Sequence, residues 1–290
     1  MLNYVVVLAA LLLEPTSASP APMDACTMAR RPLADAVVQM PFDIVDGRIY
    51  VQARVNDQGP YRFAVDTGAS GIGRADNRLV AALGLPLQGE ATSSDGISQA
   101  KVETVRLASL ALGDLTRRDA DVIARDYNRR NAPEAAFDGI IARDFFADGL
   151  LRIDYPGRML SFSRTEVLSP HAVNARVYER AFRIPVSIDR VDVVGQLDTG
   201  ANVAFVLPQA LYEKVSDRPL DEAVRSQLTN GELESWRGTV HGPFRLGELA
   251  LTDVEVRVSP RYPELLVGAH ALQEAVVLID QRSRAVAVCR

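Results

Sequence analysis

The sequence predicts a mainly all-β fold arranged as two pseudo-symmetric lobes, each with a short helix. Short segments such as Arg48–Val55 and residues 254–258 alternate apolar and polar side chains, and turn residues such as 57–60 separate them. This pattern is typical of antiparallel strands. Helical stretches are few; residues 77–85 and 207–215 have helical spacing, and a Gly or a Pro marks one end of each.

An internal repeat supports the two-lobe prediction. The motif Asp-Thr-Gly-Ala (DTGA) occurs twice, in FAVDTGAS and in GQLDTGAN, and similar segments follow each copy in the same order. The matching pairs are residues 63–70 and 195–202, 110–115 and 244–249, and 137–162 and 263–288. Each segment of the last pair contains an apolar triplet ending in a small residue, then a short helix, then a strand–turn–strand. Two long units indicate a pseudo-symmetric pair, whereas a solenoid needs three or more short ones.

The repeat sets the predicted domain organisation. We expect a first lobe over residues 26–168, a linker over 169–176 and a second lobe over 177–290. Ser169 and Pro170 break any regular structure in the linker.

The first 25 residues predict a signal peptide and short leader. A nine-residue apolar run, residues 5–13, precedes small residues that offer cleavage near 18–21. The alternative is a short membrane-surface or buried segment. No later run is long enough to span a membrane, so we expect an exported, periplasmic or extracellular protein with no membrane span in its mature form. Export would permit a disulfide between the only two cysteines, Cys26 and Cys289.

Composition excludes several function classes. With 290 residues, 48% hydrophobic residues and a net charge of -5, the chain is an ordinary globular protein without a nucleic-acid-binding charge pattern. Its densest basic stretch, residues 117–130, is interleaved with aspartates. Two cysteines and three histidines match no metal-ligand spacing, and no dinucleotide loop or nucleophile elbow is present. We therefore expect no metal, no cofactor and no nucleic-acid partner.

The doubled motif predicts a pair of carboxylates. A two-fold pair of lobes would bring Asp66 and Asp198 face to face within a few Å. Like charges that close cannot both ionise, so the pair shares one proton. One member could then take a proton from a water molecule while the other gives a proton to a peptide carbonyl. The simpler interpretation of a single copy, a turn in which Asp bonds local backbone, fits two equivalent copies poorly.

The other motif residues fit the same chemistry. Thr67 and Thr199 could link the two loops through their hydroxyl groups. Gly68 and Gly200 would let the backbone approach the carboxylates and donate N–H groups to them, because glycine has no Cβ.

These residues resemble the aspartic peptidases, specifically the retropepsin-like family. The resemblance rests on VDTGAS with DGIIARDFF in the first half and LDTGAN with LLVGAH in the second, and it covers residues 42–162 and 182–288. It implies two retropepsin-like acid-protease lobes in one chain, a peptide-hydrolysing dyad of Asp66 and Asp198, and a monomer whose lobes pair intramolecularly. The small residue behind each active loop corresponds to Ala142, where the family usually has Gly, and to Gly268.

The resemblance also suggests where a substrate would bind. An extended polypeptide would contact the residues that follow each DTG, which are Ala69, Ser70, Ala201 and Asn202. Ser70 and Asn202 are neutral where retroviral members often carry an acidic residue. Residues 91–102 and 230–240 are the candidate covering hairpins, and Trp236 is either a substrate-packing aromatic or an ordinary interface residue.

The predicted function is an exported aspartic endopeptidase that hydrolyses peptide bonds by direct water attack. The alternative is an inactive peptide- or protein-binding protein that keeps the aspartic-peptidase fold. Loss of either aspartate would favour the alternative, and both are present.

Overall fold

The computed structural model describes residues 23–129, 131–180 and 182–290. The described chain is mostly strand with a few short helices, and its strands form three sheets, so the predicted mainly β class is confirmed. Most of the predicted signal peptide and leader, including the cleavage region near 18–21, lies outside the described residues. Among the helices of the described residues, none is long and apolar enough to cross a membrane.

The first half of the chain forms an eight-stranded sheet in the order β2-β3-β4-β9-β5-β8-β7-β6. The strand that carries the first DTG aspartate, β4, runs parallel to β9, and β5 runs antiparallel to β9 and parallel to β8. The bounds are β2 (Asp43–Val45), β3 (Arg48–Val55), β4 (Gln58–Asp66), β5 (Gly73–Asp76), β6 (Leu87–Ser94), β7 (Gln99–Leu112), β8 (Leu115–Arg125) and β9 (Gly139–Ala142).

The second half forms a nine-stranded sheet in the order β16-β17-β20-β15-β21-β14-β13-β18-β19. Its centre repeats the first: β14 runs parallel to β21, and β15 runs antiparallel to β21 and parallel to β20. The bounds are β13 (Arg183–Ile188), β14 (Val191–Asp198), β15 (Phe205–Pro208), β16 (Ala223–Gln227), β17 (Glu232–Val240), β18 (Phe244–Leu246), β19 (Leu249–Leu251), β20 (Val254–Ser259) and β21 (Leu265–Gly268).

A third sheet takes strands from both halves. Its order is β1-β11-β10-β22-β23-β12, and the antiparallel β10–β22 pairing joins the two halves by backbone hydrogen bonds. The predicted boundaries therefore run through a shared sheet, to which the first half contributes β1, β10 and β11. The bounds are β1 (Ala36–Pro41), β10 (Leu150–Asp154), β11 (Met159–Ser163), β12 (Arg176–Val177), β22 (Val276–Asp280) and β23 (Ala285–Cys289).

The helices are short, and two pairs of them lie at equivalent places in the two halves: Asn77–Ala82 with Gln209–Val215, and Arg143–Phe146 with Ala269–Leu272. Asp76 caps α2 by accepting the Arg78 N–H at 3.0 Å, and Pro208 precedes α3. The helix that the repeat predicts after β9 and β21 is a 3-10 helix in both halves. The bounds are α1 (Ala25–Ala29), α2 (Asn77–Ala82), α3 (Gln209–Val215) and the 3-10 helices Pro133–Ala135, Arg143–Phe146 and Ala269–Leu272.

One large apolar core runs through both halves, including Phe63 and Leu107 in the first and Phe205 and Phe244 in the second. A smaller cluster packs α1 against the shared sheet, where Cys26 and Cys289 are joined by a disulfide. The core fixes the ends of β4 and β14, and these ends carry the two DTG motifs.

Candidate active site

The two DTG aspartates lie at the ends of equivalent strands and face each other. Asp66 ends β4, Asp198 ends β14, and the two half-buried side chains are in hydrogen-bonding contact. Each carboxylate also packs on the glycine of the opposite loop. A Cβ added to Gly68 would lie 2.5 Å from Asp198 Oδ2, and a Cβ added to Gly200 would lie 2.5 Å from Asp66 Oδ2. Only glycine allows this approach.

Two buried threonines link the loops. The Thr67 N–H donates to Thr199 Oγ1 at 3.1 Å, and the Thr199 N–H donates to Thr67 Oγ1 at 3.0 Å. Each hydroxyl in turn donates to a carbonyl of the opposite strand, Thr67 to Leu197 at 3.3 Å and Thr199 to Val65 at 2.8 Å. These four bonds hold the two loops together with two-fold symmetry.

Backbone N–H groups orient the carboxylates. The Ala69 N–H donates to Asp66 Oδ1 at 2.9 Å, and the Gly200 N–H donates to Asp198 Oδ1 at 2.8 Å. Residues 69 and 201 are alanines, so neither side chain can add a hydroxyl donor. Each carboxylate therefore keeps an oxygen that can interact with its partner and with a water molecule.

The small residues behind each loop occupy equivalent positions. Ala142 pairs with Asp66 in the β4–β9 register, and Gly268 pairs with Asp198 in the β14–β21 register. Both are buried. A Cβ at Gly268 would lie 2.3 Å from the Val203 carbonyl, so the second half requires glycine where the first half holds an alanine.

Burial has the largest effect on the pKa of Asp198. Removal from water, followed by repulsion from the neighbouring Asp66 carboxylate, raises the pKa of Asp198 well above its usual value. The Gly200 N–H and the more distant Arg48 guanidinium act in the opposite direction but are weaker. Asp198 therefore keeps its proton at weakly acidic pH.

The predicted substrate-contacting residues differ in their surroundings. Ser70 is exposed, whereas Ala69 and Ala201 are half-buried beside the carboxylates. The Asn202 amide donates to Asp46 Oδ2 at 2.5 Å, so it bonds the β2–β3 turn of the first half. Trp236 lies half-buried within β17, opposite Ala223 and Val258. Substrate contact by these residues stays a prediction.

The two candidate covering hairpins, β6–β7 and β16–β17, meet at their tips through Asn230. The Asn230 N–H donates to Asp95 Oδ2 at 2.8 Å, and its side-chain amide donates to the carbonyls of Ser93 at 2.9 Å and Ser98 at 3.1 Å. Its Oδ1 accepts from Arg125 Nη1 at 2.7 Å. One residue thus connects both hairpins with the end of β8.

Two tyrosines near the dyad were not predicted from the sequence. Tyr127 follows β8 and is within electrostatic reach of Asp66, while Tyr262 follows β20 and is within reach of Asp198 and Asp95. Burial raises the pKa of Tyr127 to about 12. The sequence pattern that could have identified them is a tyrosine shortly after each of the two equivalent strands, β8 and β20.

Potential metal ligands do not gather at the dyad within the described residues. The one such group joins Cys26, Glu248 and Cys289, and both sulfurs of that group are used by the disulfide.

Comparison with known proteins agrees with this geometry. The family model described as aspartyl protease matches residues 51–145 and 184–271, which together make up well over half of the chain and include both DTG loops. No curated protein matches the sequence. The two matched segments correspond to the two halves that carry Asp66 and Asp198. The chain belongs to the aspartyl protease family.

Proposed function

We propose that this protein is an exported, retropepsin-like aspartic endopeptidase whose dyad is Asp66 and Asp198. The observation that carries the proposal is the contact between the two carboxylates in loops joined by Thr67 and Thr199. A structural role would not need two like charges in contact, because such a pair destabilises the fold unless it shares a proton.

The proposed reaction is direct hydrolysis by water. The ionised carboxylate takes a proton from a bound water as the water oxygen bonds to the peptide carbonyl carbon. The protonated carboxyl gives its proton to the carbonyl oxygen, which forms a gem-diol. The carboxyl that took the proton from water then gives it to the nitrogen, while the other, now ionised, carboxylate takes a proton from one gem-diol hydroxyl. The C–N bond breaks, and a carboxylic acid and an amine are released. The raised pKa of Asp198 supplies the protonated partner at weakly acidic pH.

The hairpins support an extended polypeptide substrate. The β6–β7 and β16–β17 hairpins both reach residues close to the dyad: Asp95 lies near Tyr262, and Asn230 bonds Arg125 beside Tyr127. An extended chain between these hairpins and the DTG loops could form backbone hydrogen bonds on both sides. Because both loops belong to one chain, a monomer would contain a complete site.

Export is a separate part of the proposal. It rests on the apolar run over residues 5–13 and on the Cys26–Cys289 disulfide, because disulfides persist in oxidising compartments. N-terminal sequencing of protein recovered from the periplasm or medium should give a start after residues 18–21. Protein that stays in the cytoplasm with an intact N-terminus would contradict export.

The activity is tested with purified protein and a peptide library analysed by mass spectrometry. We expect cleavage at internal peptide bonds that a pepstatin-type inhibitor blocks. Folded protein that binds peptides without cleaving any of them would instead favour the inactive binding protein.

A further inference from the structure

Four half-buried arginines of the described chain form no ion pair with a carboxylate, and three of them lie near the two DTG loops. These three are Arg48, Arg74 and Arg125. Most other buried or half-buried arginines of the described chain form ion pairs, which are Arg117–Asp148, Arg143–Asp144, Arg152–Asp154, Arg183–Glu264 and Arg257–Glu255. The fourth, Arg62, is satisfied by two backbone carbonyls of the segment before β9. Three of the four half-buried guanidinium groups without an ion pair therefore lie near the DTG loops.

Arg48 lies beside the second DTG loop. It follows the Asp46–Gly47 turn, which the second half holds through the Asn202–Asp46 bond and through Gln273 Nε2 donating to the Gly47 carbonyl at 3.0 Å. The Arg48 Nε is buried and has no hydrogen-bond partner. The Arg48 charge acts on Asp198 and opposes the rise in the Asp198 pKa.

Arg74 and Arg125 lie near the first DTG loop, and a Cβ added to Gly71 of that loop would lie 3.4 Å from Arg74 Nη1. Arg74 is in β5, directly after the first DTG loop, and its Nη1 donates to the Gly73 carbonyl at 2.9 Å. Arg125 ends the neighbouring strand β8 and bonds the neutral Asn230 amide. Both charges act on Tyr127, which Asp66 also influences.

The nearby acidic groups are already bonded within the protein. Asp95 accepts the N–H groups of Ile97, Ser98 and Asn230. Asp76 is buried and binds Arg78. Within the described chain, the site thus combines satisfied carboxylates with three guanidinium groups that form no direct ion pair.

A half-buried charge without a counter-ion is unfavourable, and a ligand carboxylate would relieve that cost. Guanidinium groups also bind carboxylates with two parallel hydrogen bonds, which gives geometric selectivity.

From this arrangement we infer that the substrate is an acidic polypeptide, with Asp or Glu side chains on both sides of the cleaved bond. Arg48 binds a carboxylate beside the second DTG loop, and Arg74 and Arg125 bind one beside the first. This inference rests on the proposed peptidase function for its substrate role.

The test compares two fluorescent peptides that differ only in having Glu or Gln on both sides of a cleaved bond. At pH 6, where Glu is ionised, we expect kcat/KM to favour the Glu peptide by ~10-fold or more at low salt. The preference should shrink as salt rises, because screening weakens charge pairing. Equal kcat/KM for the two peptides would overturn the inference.

Substitution of each arginine tests whether it causes the preference for the Glu peptide. Arg48→Gln should remove most of the preference for the Glu peptide, and Arg48→Lys should retain part of it. Arg54→Gln is the matched control, because Arg54 is exposed on the same strand and bonds only the Asp57 carbonyl. A preference that Arg48→Gln, Arg74→Gln and Arg125→Gln all leave intact would also overturn the inference.

A binding measurement tests this inference independently of the proposed peptidase activity. Fluorescence anisotropy compares the affinities of the two peptides without requiring hydrolysis. If neither peptide is cleaved, the proposed activity fails, while tighter binding of the Glu peptide that depends on Arg48 still supports an acidic ligand. Equal affinities for the Glu and Gln peptides would reject the inference of an acidic ligand.

Discussion

Thr67 and Thr199 each donate a backbone N–H to the hydroxyl of the other, across 132 residues of sequence. This reciprocal pair of bonds links the two DTG loops directly. Each hydroxyl also donates to a carbonyl of the opposite strand, which strengthens the link. The positions of Asp66 and Asp198 depend on it, since each aspartate immediately precedes one of these threonines.

Removing one of these hydroxyl groups should destabilise the fold. Thr67→Ala leaves the Thr199 N–H and the Leu197 carbonyl buried without partners, so we expect a loss of ~2–3 kcal/mol in the free energy of unfolding. Thr67→Ser keeps the hydroxyl and deletes one methyl, and should lose about 1 kcal/mol or less. Urea unfolding measures both. Equal losses for Ala and Ser would show that the hydroxyl bonds contribute little.

Asp198 should make stability depend on pH. Its pKa is raised in the folded protein, so its contribution is fully present below its unfolded pKa of ~3.9 and is lost as pH rises through the folded pKa. Asp198→Asn stays neutral and avoids this loss. Relative to wild type, the variant should gain roughly 1–3 kcal/mol in the free energy of unfolding between weakly acidic and mildly alkaline pH.

Urea unfolding across that pH range measures the effect. Asp192→Asn is the control, because Asp192 is exposed on the same strand, β14. If the wild type and Asp198→Asn show the same pH dependence, the carboxylate is not held in a destabilising environment.

The disulfide should stabilise the fold by closing a very long loop. Cys26 and Cys289 are separated by 263 residues, and their bond ties α1 to β23. Replacing both by Ser should lower the free energy of unfolding by up to about 4–5 kcal/mol. Wild-type protein with a reducing agent should behave like the variant in urea unfolding. Equal midpoints for oxidised wild type and the double variant would contradict this role.

Asn230 should hold the two hairpin tips together. Asn230→Ala removes the side-chain bonds to Ser93, Ser98 and Arg125, so local opening should become ~10-fold or more frequent. Hydrogen–deuterium exchange by mass spectrometry should show faster exchange in residues 91–102 and 230–240 only. Asn174→Ala, which removes a comparable amide far from the hairpins, should leave both segments unchanged. Unchanged exchange in Asn230→Ala would show that the tips are held by other contacts.

The sequence predicts that Asp66 and Asp198 lie together, with Thr67 and Thr199 linking their loops, and the structure has this arrangement; their catalytic role stays a prediction. The repeated motif fixes Asp66 and Asp198 at equivalent strand ends, and a two-fold relation between equivalent strands then requires the motifs to face each other. The repeat predicts a small residue at 142 and at 268, but only the structure shows why the second is glycine, because the backbone at Val203 leaves no room for a Cβ.

Other features depend on how the halves pack and were not predictable from the sequence. The shared sheet depends on the pairing of β10 with β22, and both strands are buried along nearly their whole length, so neither has an exposed face whose pattern identifies its partner. The bonds of Asn230 and the position of Arg48 depend on side chains of one half meeting loops of the other. Neither residue lies in a recognisable motif.

Cleavage of a peptide library by wild type, Asp66→Asn and Asp198→Asn tests the central claim most directly. Each substitution removes one of the two coupled proton-transfer roles. The account predicts internal cleavage by the wild type and loss of nearly all turnover in each variant, with circular dichroism showing that both remain folded. Substantial turnover by either variant, or no cleavage by folded wild type, would contradict it.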